Sequence, residues 1–241
     1  MANKPEAPAG STPGRPPRKH HWWRWILAGA AALVVLVVLA AGAFIKLQPT
    51  LAPLALPKAG ASAPAGPLDG TWQVGPGSAA GFRVEESFLG ISNDTVGRTT
   101  AITGTATVSG RQVTGASFRV DLTEIKIKVG GRTQPQFARS LGTRLYPIAT
   151  ITLAEPVPLS AAFASGATVS AMVTGRLDMH GLSHLVTFPV SARRDGTTLQ
   201  VTGSIPVAFS AWGIKGPAGF GFLGSLASHG VAEFLLVLSQ R

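Results

Sequence analysis

Two histidines, His180 and His184, stand four residues apart, a spacing at which imidazoles on one helix could share a metal ion. Gly181 lies between them at a turn and no third ligand is near, so they read as partly exposed strand-end histidines. Ser228-His229 lacks both a nucleophile elbow and an acidic partner with sequence context, so serine chemistry is not expected there. Gly219 to Gly224 spells GxGxxG, but no helix follows and no βαβ unit surrounds it, so it reads as a glycine-aromatic loop. Asn93-Asp94-Thr95 fits a glycosylation sequon in a stretch that reads as a turn. The chain has no cysteine, which removes disulfides, thiolate nucleophiles and cysteine metal sites together. No catalytic residue, metal site or cofactor is expected.

What remains is apolar surface and the elements that carry it. From residue 69 onward Thr and Val dominate, glycines fall every eight to twelve residues, and no window keeps a long helical period. Short, regularly spaced strands with turn signals indicate an all-β sandwich or barrel. Strands are expected at 71–74, 82–88, 99–108, 112–122, 148–154, 168–179, 185–192, 197–209 and 231–238, with Asp195-Gly196 as a hairpin turn. Phe118, Val120 and Leu122 are even-numbered, whereas Ile125, Ile127 and Val129 are odd, so one extra residue is expected near Thr123-Glu124 as a β-bulge. Bulges bend strands, and bent strands suit small barrels. One helix is expected at 133–141, capped by Thr133, with Pro135 in its first turn and Gly142 as its stop.

Ahead of this domain lie three segments of different chemistry. Residues 26–45 carry no charge or amide and, at ~1.5 Å per residue, cover the ~30 Å hydrocarbon core of a bilayer. Trp22, Trp23 and Trp25 sit at the edge of this run, as interfacial indoles do. Arg15, Arg18, Lys19 and Arg24 precede it, against Lys46 and Lys58 after it, so the arm belongs in the cytoplasm and the rest outside. The run is too long for a cleaved signal peptide, although Ala41-Gly42-Ala43 would serve as a cleavage site. The expected organisation is a disordered basic arm at 1–24, a single transmembrane helix at 25–45, a Pro/Ala-rich linker at 46–67, and the β domain at 68–241. Prolines at 49, 53, 57, 64 and 67 make the linker a semi-rigid spacer, standing the domain off the membrane by at most ~65 Å. The net charge of +10 divides into +4 on the arm, +2 on the linker and +4 dispersed over the domain. That distribution suits an anionic membrane surface and argues against nucleic acid.

The stretch Gly175-Arg-Leu-Asp-Met-His-Gly-Leu-Ser-His-Leu-Val186 resembles the G-x-L-T-[IL]-[HR]-G-v-[TS]-[KRH] signature of the YceI-like family of exported lipid-binding proteins, with Asp178 in place of Thr. Asn93 to Thr99 is similar to that family's N-x-V-x-G-[RT]-T segment. Tyr146-Pro147 is similar to its Y-P-x-[AI]-x-F element, with Ile151 replacing Phe. Ala211-Trp212-Gly213-Ile214 resembles its late F-G-[IV] turn. Arg132-Thr133-Gln134-Pro135-Gln136 departs from the family's R-D-x-[HQ]-[LF], and Gly142 replaces an acidic residue, so any role those acids have in relatives does not transfer. The resemblance covers about residues 69–239. It implies a lipocalin-like antiparallel barrel whose lumen holds a long apolar chain, in some members a polyisoprenoid, and a family not known in general as catalytic.

The combined expectation is an all-β, antiparallel, lipocalin-like barrel of about eight strands with one short helix, preceded by a single transmembrane helix. Its expected partner is an apolar, polyisoprenoid-like lipid, and its expected place is the cell membrane, with the barrel extracytoplasmic. Phe82, Val84, Phe118, Val120, Leu122, Ile125, Ile127, Phe137, Leu141, Leu177, Met179, Phe209 and Trp212 are expected to face the ligand. A small barrel can equally fill its lumen with side chains. The competing expectation is therefore a ligand-free scaffold, with an isoprenoid-dependent enzyme or redox partner third. Periodicity does not choose between a filled and an open lumen, and it assigns no oligomeric state.

Overall fold

The alternation of Thr and Val with short glycine turns builds one antiparallel sheet that closes on itself. A computed structural model of the chain describes residues 51–60, 63–88, 91–129, 132–133, 142–215 and 224–240, with scattered positions between 32 and 43. The chain divides into two units, Met1–Phe44 and Ile45–Arg241. In the first, the described positions are helical, and Leu33, Leu36 and Leu39 are exposed. Among the described residues no helix is long and apolar enough to cross a membrane, and much of the expected span at 25–45 lies outside them.

The second unit is a barrel of eight staves, several made of two strands end to end. The first stave is β1 (Gly70–Val74) followed by β2 (Ala79–Phe88). The second returns as β3 (Ile91–Thr99) and β4 (Ile102–Ser109), and the third is β5 (Gln112–Asp121) and β6 (Lys126–Val129). Beyond β6 comes the short β7 (Arg132–Thr133). The remaining staves are β8 (Ile148–Leu153), β10 (Val169–Met179), β11 (Leu182–Asp195), β12 (Thr198–Ala208) and β14 (His229–Gln240). Two short strands, β9 (Val157–Pro158) and β13 (Gly224–Leu226), pair onto β5 and β2. Closure falls on β14, which pairs with β12 on one side. On its other side it takes β2 through Val231–Leu235 and β1 through Leu238–Gln240. Closing the sheet removes most of its edge, and β6 and β7 run on beyond β3 at the end of the strand order.

The expected bulge near Thr123-Glu124 is replaced by a break. β5 ends at Asp121 and β6 begins at Lys126, and the Asp121 carboxylate accepts from Thr123 N and Oγ1 at 2.9 and 2.6 Å. This Asx-type turn re-aims the chain, so Leu122 and Ile125 both face inward despite opposite parity. The register shift between β4 and β5 falls elsewhere, at Thr107/Val108 opposite Gly115 and Val113. The expected helix at 133–141 is not found at its start, because Thr133 is in β7, and residues 134–141 lie outside the described residues. A helix the sequence reading missed is α1 (Ala161–Ala164), capped by Ser160 Oγ accepting from Phe163 N. Four residues are too few to show a helical period, and its role is to deliver Phe163, 2% exposed, into one end of the barrel.

The linker is the largest correction. Residues 51–60 and 63–67 are held against the barrel by hydrogen bonds, where a spacer was expected. Prolines 53, 57, 64 and 67 have no N–H, so an extended run of this composition presents carbonyls. The outer phase of the staves presents matching donors. Arg83 Nη2 donates to Leu51 O at 2.7 Å, Arg98 Nη2 to Ala52 O at 3.1 Å, and Arg193 Nη2 to Pro57 O at 2.8 Å. Arg194, which instead shares the inward parity of Val190 and Ala192 at the end of β11, donates through Nη2 to both Ala65 O and Gly66 O at 2.6 Å. Two linker amides reach acids: Leu54 N donates to Glu233 Oε2 at 2.7 Å and Gly60 N to Asp195 Oδ2 at 3.0 Å. Under this strap Glu233, 5% exposed, pairs with Arg83 and Arg98 at 3.3 and 3.1 Å. Buried charges are tolerated when paired and hydrogen-bonded in this way.

Candidate functional site

The inward phase of the staves lines an elongated apolar cavity of about 280 Å³. Protein interiors normally leave few voids larger than a water molecule, so this volume, close to the low end of small-molecule pockets, is not a packing accident. Its cause is side-chain size. Ala80, Ala106, Ala116, Ala149, Ala171 and Ala192, from six different staves, all point at the lumen, where larger residues would fill it. Six successive inward positions of β10, from Val169 to Met179, line the cavity. Ten steps at ~3.4 Å make that wall ~34 Å long, the shape of a slot for a chain.

Both ends are capped by aromatic residues. At one end Trp72, 1% exposed, donates through Nε1 to Leu68 O at 2.9 Å and packs with Phe163 and Leu238. At the other, β12 stops and a 3-10 turn at Phe209–Trp212 folds Trp212 over Ile205, Val207, Leu177 and Phe188. The two histidines fasten the β10–β11 hairpin to this turn. His180 donates from Nδ1 to Trp212 O at 2.9 Å, and His184 donates from Nε2 to Ala211 O at 3.1 Å, its ring edge-on to Trp212 at 4.6 Å. Among the described residues no three metal-binding side chains gather.

Of the residues expected to face a ligand, Phe82, Phe118, Val120, Leu122, Ile125, Leu177 and Met179 line the cavity. Val84, Ile127, Phe209 and Trp212 do not. Trp212 and Phe209 belong to the end cap, because the chain leaves the stave at Ala208. Val84 shares the phase of Phe82 but sits further along β2, where a Cβ on Gly230 would meet it at 2.8 Å and Phe209 at 3.4 Å. Ile127 is 2% exposed on β6, which follows β3 away from β8. Phe137 and Leu141 lie outside the described residues. The sequence reading passed over Phe163, His180 as a lining residue, and the inward alanines; alanine on the inward phase of so many strands was the available signal.

Half-buried Glu86 has its carboxyl raised above the ordinary value by burial, partly offset by a hydrogen bond from Thr95. It lies on the inward phase of β2 beyond Val84, outside the cavity lining.

The YceI-like domain family matches residues 72–231. The chain belongs to the YceI-like family. This YceI-like barrel is similar to a solved polyisoprenoid binding domain from Saccharophagus degradans implicated in plant cell wall breakdown. The TM-score is 0.53 and the identity 16%, over 72% of this chain and 99% of that one. It is also similar to Burkholderia cenocepacia BcnA, with TM-score 0.48 and 17% identity over 66% of this chain and 95% of that one. At such identities the likeness is one of fold. No curated protein matches this YceI-like chain.

Proposed function

We propose that this YceI-like barrel binds one long apolar lipid of the polyisoprenoid class, for carriage or sequestration, while the apolar run at 26–45 tethers it to a membrane. The observation that carries the reading is the slot along β10, lined almost wholly by aliphatic and aromatic side chains. An apolar cavity gains little from water, and each ligand methylene moved into it from water contributes ~0.8 kcal/mol. The polyisoprenoid-binding relative from S. degradans supports the ligand class. The test is native extraction of the full chain followed by mass spectrometry of what co-purifies. A polyprenyl lipid in stoichiometric amount is expected. An empty protein that takes up no added isoprenoid would overturn the reading and leave a ligand-free scaffold.

The tether and its direction rest on the uncharged length of residues 26–45 and the basic residues that precede it. Protease added to intact cells is expected to remove the barrel and spare the arm. Protection of the whole chain would overturn the direction, and a soluble mature form starting near Phe44 would replace the anchor with a cleaved signal.

A further inference from the structure

Three of the residues lining the cavity, Thr150, His180 and Glu233, carry polar side chains. Thr150 alternates with the inward Ala149 and Ile151, and Glu233 alternates with the inward Ala232 and Phe234. The Glu233 carboxylate is taken by Arg83, Arg98 and Leu54 N on the outer side. His180 is different. It sits at the β10–β11 turn, beside Met179 at one end of the slot; at the opposite end Trp72, Phe163 and Leu238 close the lumen, and the buried Arg194, two residues past the inward Ala192, is held by Ala65 O and Gly66 O. Among the described residues that line the slot, the end at His180 is the polar one.

The backbone marks His180 as well. Met179 and Leu182 pair, so His180 and Gly181 form a two-residue hairpin loop with φ of 54° and 76°. Both positive values belong to a type I′ turn, in which Asn-Gly is the usual pair. Histidine is among the few side chains, with Asn and Asp, that take up this left-handed conformation readily. The ring is also held in one orientation. Trp212 O can only accept, so Nδ1 carries the proton that bonds to it at 2.9 Å, and Tyr146 packs against the ring at a centroid distance of 4.7 Å. In the neutral imidazole Nε2 is then a lone-pair acceptor.

Resting on the lipid-binding reading, we infer that His180 receives the terminal hydroxyl of an isoprenoid alcohol, which lies with its hydrocarbon tail toward Phe163 and Trp72. The hydroxyl donates to Nε2, and the tail supplies the affinity. The barrel is therefore directional, and it selects a chain that ends in a hydrogen-bond donor over the same chain without one.

The experiment measures equilibrium binding of farnesol, farnesyl methyl ether and the hydrocarbon farnesene to the full chain in lipid nanodiscs, with empty nanodiscs as the blank. The parent is expected to bind farnesol roughly five- to tenfold tighter than the ether, the size of one neutral hydrogen bond. His180→Asn keeps the residue this turn prefers but gives up the bond to Trp212 O, so its melt is measured alongside to show that it is folded, and it is expected to bind alcohol and ether equally. The ¹⁵N resonance of His180 Nε2 is expected to move with farnesol and not with farnesene. Equal binding of alcohol and ether by the parent would overturn this inference while leaving lipid binding intact. A preference that survives in His180→Asn would assign the terminus to another group and overturn it too. Failure of all three compounds to bind would overturn the lipid reading itself, and this inference with it.

Discussion

Arg193 donates to the carbonyl oxygen of Pro57 at 2.8 Å, across 136 residues of sequence. The same Nη2 donates to Gln200 Oε1 at 2.6 Å, and the residue is 7% exposed. A linker with no apolar period is therefore fixed through its carbonyls, which buried arginines hold, and through the amides of Leu54 and Gly60, which reach acids.

Arg193→Ala strips the donor from Pro57 O and Gln200 Oε1 while both stay covered by the strap. Unfolding in denaturant should show a loss of about 2–4 kcal/mol, the range for breaking a buried charged network. Arg111→Ala, on the exposed β4–β5 turn, should stay within about 0.5 kcal/mol of the parent. A strap-free variant that begins at residue 68 and melts like the parent would show the strap to be dispensable.

Phe118 and Phe163 should respond differently to truncation. Phe163 is 2% exposed in the packed end of the barrel, and Phe163→Ala should cost about 3–5 kcal/mol. Phe118 is only half-buried and borders the cavity midway along β5, so its loss from the empty protein should cost less. The measurement is a pair of thermal melts on delipidated protein, beside lipid retention. Phe118→Ala should weaken retention by about 1–3 kcal/mol of lost apolar contact.

Gly97 is where the Phe82 ring and Ile125 cross the sheet. A Cβ there would collide with the ring and lie 2.7 Å from Ile125 Cγ2. Gly97→Ala should push both side chains toward the void, losing about 1–3 kcal/mol by overpacking. It should also shorten the isoprenoid the barrel accepts, as read by mass spectrometry of the retained lipid.

Asp121 gives a pH dependence with a definite sign. The side-chain and backbone hydrogen bonds from Thr123 hold its carboxyl below the ordinary value. A folded value below the unfolded one means the stabilisation is complete above the unfolded value of ~3.9 and is lost as pH falls through the folded value. Melting temperatures measured downward from neutral pH should fall more steeply below pH ~4 in the parent than in Asp121→Ala, which has no such proton to take up.

Much of the barrel follows from local pattern alone. Alternation in Phe118, Val120 and Leu122 placed an inward face on β5, and Gly196 beside Asp195 turned β11 into β12. These are effects of near neighbours, and a linear chain carries them whole. The phase slip after Leu122 was visible too, but not its form: a bulge and an Asx turn both shift parity, and only the Asp121–Thr123 bonds distinguish them. Trp212 lay in an apolar stretch and became a lid, because the stave ends at Ala208, a boundary set by the hairpin it caps. The strap could not be read from residues 51–67, since their partners Arg83, Glu233 and Arg193 stand on other staves and have no signature but charge. Nor could the cavity. Each alanine is an ordinary core residue by itself, and whether a lumen fills is decided by the summed volume of side chains that meet only when eight staves close.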